Sequence, residues 1–124
     1  SLAAGISDCG DFASDGNGLP PLEKNNLSTP CGVAAVVDMW GNAELIKDKF
    51  SAGDPPVLII HGKVDFHIGT FYTAALNIEA ACKANNIPCT LYGVEGYGHG
   101  CFDAKIDGKP LPKVVAEWLK ATMK

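Results

Sequence analysis

Between Pro55-Pro56 and Gly62 the chain runs Val57-Leu58-Ile59-Ile60-His61, with no alternation of polar and apolar side chains. A strand with one wet face alternates. A continuous apolar run of strand length belongs to a strand covered on both faces, as in parallel sheets. Two more segments read the same way: Val33 to Met39, apolar except for Asp38, and Pro88 to Val94. Between the second and third, Phe71, Ala75, Ile78 and Cys82 recur at helical intervals, predicting a helix within residues 69–84. Leu111, Val114, Val115, Trp118 and Leu119 give a terminal helix one apolar face. Residues 43–50 read as a short helix, residues 1–8 as the end of an Ala-rich helix, and residues 9–32 as a long Gly, Pro, Asn and Ser-rich loop. Helices alternating with strands predict an α/β fold, a parallel sheet with right-handed crossovers and helices on both faces. No repeat or second domain is visible.

Charge excludes some functions. The net charge is −4 and the ten Lys and Arg residues are scattered, so the basic footprint of a nucleic-acid binder is missing. The longest apolar runs are strand length and fall short of a membrane span. Ser1 to Ile6 has no basic flank and does not read as an intact signal peptide. Five cysteines are many for a reducing compartment and favour a secreted or periplasmic setting. Cys82 with Cys89, across one helix-to-strand turn, is the expected bridge; Cys9 with Cys31 is a weaker second pair, and Cys101 is left unpaired. Reduced, buried cysteines are the alternative, because spacing does not give connectivity.

Two residues carry the chemistry. Asp65 follows the second strand and His99 the third, the latter within Gly96-Tyr97-Gly98-His99-Gly100. A histidine whose ring is held by a carboxylate is a general base for activating a hydroxyl nucleophile. Around them Trp40, Phe66, His67, Tyr97, Cys101 and Phe102 are candidates to line a substrate pocket, with core packing as the bland reading for each. His61, at a strand end, is expected to pack or hydrogen-bond locally. His61, Asp65, His67 and His99 also allow a metal centre, since imidazole and carboxylate suit zinc. The glycines from Gly93 to Gly100 miss the dinucleotide pattern, with Asp103 where the third glycine belongs. Asp8, Asp11, Asp15 and Asn17 miss the spacing of a calcium loop, and Asn26-Leu27-Ser28 is a glycosylation sequon on a loop.

These segments in their order resemble the C-terminal part of an α/β-hydrolase of the capless carboxylesterase and dienelactone-hydrolase type. The resemblance rests on Ala35-Val36-Val37-Asp38-Met39-Trp40-Gly41, Pro55-Pro56 through Asp65, Asn86-Ile87-Pro88, and Glu95 to Gly100 before an amphipathic helix. It implies that residues 1–124 are the C-terminal portion, three strands, of one α/β-hydrolase domain. Asp65 would be the triad acid and His99 the base of a serine esterase, with no cofactor. The family places its nucleophile upstream of the acid in Gly-x-Ser-x-Gly, a pattern this sequence lacks. Leu2-Ala3-Ala4 resembles the stretch just after that serine. The resemblance therefore implies a partner, an N-terminal chain of the same hydrolase, together with a small ester substrate. Residues 42–55 leave little room for a helical cap, so an open site is expected. A non-catalytic α/β binding or scaffold module and a metal-dependent hydrolase are the competing readings.

Overall fold

The computed structural model describes residues 32–124. The helix expected over residues 1–8, the Cys9 and Cys31 pairing, the acidic loop around Asp11 and the Asn26 sequon lie outside them. Strands β1 (Val36–Met39), β2 (Val57–Gly62) and β3 (Cys89–Val94) form one parallel sheet in the order β1-β2-β3. All six residues of β2 are buried, the environment its unbroken apolar run requires.

Each face of the sheet is covered. Val57 and Ile59 meet Ala75, Ile78 and Cys82 of helix α1 (Tyr72–Ala84). On the opposite face Leu58 and Ile60 cluster with Val94, Cys101, Ala104 and Leu111, beside helix α2 (Leu111–Thr122). Trp118 Nε1–H donates to Thr90 Oγ1 at 3.2 Å, fastening α2 to β3. Helix α1 ends where Asn86 turns left-handed, at φ 58°, and Pro88 prevents continuation. Proline in the first turn of α2 removes no intrahelical donor. No helix among the described residues is long and apolar enough to cross a membrane.

Three local expectations change. Residues 43–50 contain turns and a single 3-10 turn, Lys47–Lys49; Ala43 and Phe50 are buried and Ile46 packs partly buried against them, while Leu45 stands 93% exposed. A two-residue strand pair, β4 (Lys105–Ile106) and β5 (Lys109–Pro110), forms an antiparallel hairpin. Its turn, Asp107-Gly108, has φ of 50° and 74°, the double left-handed geometry for which Asp-Gly is the standard signal. Cys82 and Cys89 are free thiols in mutual hydrogen-bond contact, in place of the expected bridge. That contact lowers the Cys82 thiol's pKa and raises that of Cys89. The helix-to-strand turn thus brings the two sulfurs together as expected, as a hydrogen-bonded pair.

Candidate active site

The loops leaving β1, β2 and β3 converge at the carboxyl ends of the strands, where open parallel sheets bind ligands. Lys63 N–H donates to Val94 O at 2.9 Å and Val64 N–H to Tyr97 O at 3.0 Å, locking the β2 exit to the β3 exit. This crossing depends on Gly62. A Cβ there would lie 2.2 Å from Tyr97 O and 2.3 Å from Gly98 O, so only glycine lets the two backbones approach. Asn42 Nδ2–H donates to Gly69 O at 2.5 Å, tying the β1 exit to the loop after Asp65.

At the crossing, His99 Nδ1 lies 2.9 Å from Asp65 Oδ2. Asp65 is 3% exposed, whereas the His99 side chain keeps 38% of its surface in solvent. The His67 N–H donates to Asp65 Oδ1 at 2.9 Å. Burial is the largest influence on Asp65 and pushes its pKa up. The His67 N–H, the His99 hydrogen bond and the charges of His99 and His61 together outweigh it, so the carboxyl titrates below its ordinary value. With Nδ1–H directed at a buried carboxylate, Nε2 is the nitrogen left to take a proton from a neighbouring hydroxyl.

The remaining candidates divide. His67 stacks on His99 with ring centroids 4.7 Å apart, and Trp40 meets His99 edge-on at 6.3 Å and Phe102 at 4.8 Å. Trp40 holds φ at 46°, a left-handed conformation that costs a non-glycine residue about 1–2 kcal/mol. Phe66 is 80% exposed and Phe102 74%, so both stand on the rim, while Tyr97 is half-buried against the α2-side cluster. Cys101 is not a lining residue. It is 2% exposed within that same cluster, and burial pushes its thiol pKa up.

Two further side chains reach the pair. Thr70 places Oγ1 3.1 Å from His99 Nδ1, and His61 places Nε2 3.0 Å from Asp65 Oδ2. For His61 the sequence offers local hydrogen bonding or a metal centre, and the contact with Asp65 four residues on is of the local kind. Nothing in the sequence marked Thr70. Among the described residues no three His, Cys, Asp or Glu side chains converge in a metal-holding arrangement. His61 and His99 instead each direct a ring nitrogen at Asp65 Oδ2.

No protein-family model matches the chain, and no curated protein matches it in sequence. Solved structures do. A truncated form of carbohydrate esterase from gut microbiota shares 22% identity at a TM-score of 0.61, covering 81% of this chain and 46% of its own. Native Thermogutta terrifontis esterase 2 shares 19% at a TM-score of 0.63, covering 98% and 51%. An acetyl ester-xyloside bifunctional hydrolase from Caldicellulosiruptor lactoaceticus shares 16% at a TM-score of 0.66, covering 95% and 50%. The chain thus spans about half the length of the solved structures it matches. At these identities the likeness shows the fold, a parallel α/β arrangement that this chain has in common with esterases.

Proposed function

We propose that this chain is the C-terminal, acid-and-base-bearing portion of a serine carboxylic-ester hydrolase, with Asp65 as acid and His99 as base. The observation that carries the reading is the 2.9 Å contact between His99 Nδ1 and the buried Asp65 Oδ2, with the histidine ring partly in solvent. The fold is one that esterases share, and one neighbour, Thermogutta terrifontis esterase 2, is phosphorylated by paraoxon.

The chemistry follows from the tautomer. His99 Nε2 takes the proton of an upstream serine hydroxyl as its oxygen attacks the ester carbonyl, and returns it to the departing alcohol. Water, deprotonated in the same way, then attacks the acyl-enzyme and frees the acid and the serine. Asp65 holds the ring and stabilises the imidazolium formed in each half-reaction. These steps draw on no cofactor.

The nucleophile is assigned to an N-terminal chain of the same hydrolase. Among the described residues β1 pairs only with β2, leaving its other edge without a strand partner, and unpaired strand edges are templates for another strand. The β1-to-β2 connection contains no helix beyond the 3-10 turn Lys47–Lys49, so no helical cap arises from it. A small ester, or an acyl ester on a sugar, fits such an open site.

A fluorophosphonate probe, with intact masses of every polypeptide in the purified sample, tests this reading. The expected result is a labelled serine on a companion chain, with labelling lost in His99→Ala. Turnover by this chain alone, or turnover without labelling that a chelator abolishes, would overturn it.

A further inference from the structure

His61 has no exposed surface, and its ring reaches the two parts of the β2 exit loop that fix Asp65. Nε2 lies 2.7 Å from Thr70 O and 3.0 Å from Asp65 Oδ2. A carbonyl oxygen only accepts, so Nε2 carries a proton, and that proton is shared between the carbonyl and the carboxylate. Among the described residues Nδ1 has no hydrogen-bond partner, although it is buried. On the same face, Asp38 buries Oδ2 without a partner among the described residues; its register partner Ile59 sits two residues before His61. A leucine would fill the space beside Tyr72, whose ring meets His61 edge-on at 6.1 Å, without burying an unmet polar atom. Packing therefore does not account for a histidine here.

What the ring provides is a second donor on Oδ2. Asp65 Oδ1 is held by the His67 N–H, and Oδ2 receives both His99 Nδ1 and His61 Nε2. Thr70, whose carbonyl accepts from His61, also donates its own N–H to His67 O at 3.0 Å and places Oγ1 against His99. One imidazole thus fastens the carboxylate and the loop segment that touches the base.

We propose that His61 is a positioning residue, whose Nε2–H clamps Asp65 Oδ2 and the Thr70 carbonyl so that the acid meets His99 in one orientation. The assignment rests on the hydrolase reading above and deepens it. His61 touches no substrate; it acts through Asp65.

The test compares His61→Leu, His61→Gln and His61→Asn in the ester-hydrolysing protein that contains this chain, with Asp65→Asn and His99→Ala alongside. Glutamine presents its amide N–H near the position of ring Nε2, whereas asparagine presents one nearer Nδ1. His61→Leu is expected to lower kcat about 10–100-fold with KM within about twofold, the scale of a misplaced catalytic group. His61→Gln should recover most of that loss and His61→Asn little. The low-field Nδ1–H proton resonance of His99, which needs no turnover, should weaken in His61→Leu and return in His61→Gln. Equal rescue by asparagine and glutamine, or an unchanged resonance and kcat in His61→Leu, overturns the assignment while loss of activity in Asp65→Asn and His99→Ala keeps the hydrolase. If those two variants keep turnover, the hydrolase reading falls and the role of His61 with it.

Discussion

Gly62→Ala adds one methyl group at the point where the loops bearing Asp65 and His99 cross. The new Cβ would lie 2.2 Å from Tyr97 O, 2.3 Å from Gly98 O and 2.7 Å from Tyr97 C, all backbone atoms with no rotamer to yield. Restoring ordinary contact requires the 97–98 backbone to retreat by about 1 Å. That movement strains the Val64 N–H to Tyr97 O bond, now 3.0 Å. Overpacking of this kind costs about 2 kcal/mol, and a lost backbone hydrogen bond about 1 kcal/mol more. Against a total stability of about 5–15 kcal/mol, the sum of about 3 kcal/mol is a large share. The same retreat carries His99 from 2.9 Å to about 4 Å from Asp65 Oδ2, beyond hydrogen bonding, and an error of 1 Å in a catalytic pair costs about 100-fold in rate. Gly98→Ala is the matched control: its Cβ meets only Val64 O at 3.5 Å, an ordinary contact. Urea unfolding followed by tryptophan fluorescence, together with ester turnover, separates the two. Equal midpoints and equal turnover for Gly62→Ala and Gly98→Ala would refute the crossing argument.

Asp65→Asn and His99→Ala should each lower ester turnover by about 10⁴-fold while the protein still folds, and His67→Ala should lose less than about tenfold; full turnover in His99→Ala would end the base assignment. Burial raises the pKa of Asp38 above its ordinary value of 3.8, so the folded state binds that proton more tightly than the unfolded chain. The stability this gives is complete below the ordinary carboxylate range and is lost as pH rises through the folded pKa. Asp38→Asn should therefore gain on the unsubstituted protein between about pH 4 and pH 7, and parallel urea midpoints across that range would contradict it. Asp65 has the opposite sign: its lowered pKa stabilises above the ordinary range and that contribution disappears as pH falls through the folded value. Mild oxidation should join Cys82 to Cys89 in peptide maps while buried Cys101 stays reduced until unfolding, and a Cys101 adduct in the native protein would contradict its placement.

The sequence determined the centre of the molecule. An unbroken run from Val57 to His61 has only one economical environment, a middle strand between two covered faces, and β2 occupies it. Helical spacing likewise marked Ala75, Ile78 and Cys82 of α1 and Leu111 and Val114 of α2, which are buried, whereas Phe71 caps α1 and is exposed. The sequence also marked Asp65 and His99 as strand-exit residues, but not the hairpin at Asp107-Gly108. Tertiary structure decided the rest. Cys101, two residues from His99, reads as a neighbour of the site, yet the chain turns at Gly100, φ 75°, and Cys101 is buried in the α2-side core. Cys82 and Cys89 meet, but as hydrogen-bonded thiols. The contact of Asp65 with His99, and the hold of His61 and Thr70 on that pair, depend on two loops crossing over Gly62 within van der Waals reach. Such a crossing is set by the register of β2 on β3 and by backbone hydrogen bonds between residues some 30 positions apart, neither of which leaves a periodic trace in the chain.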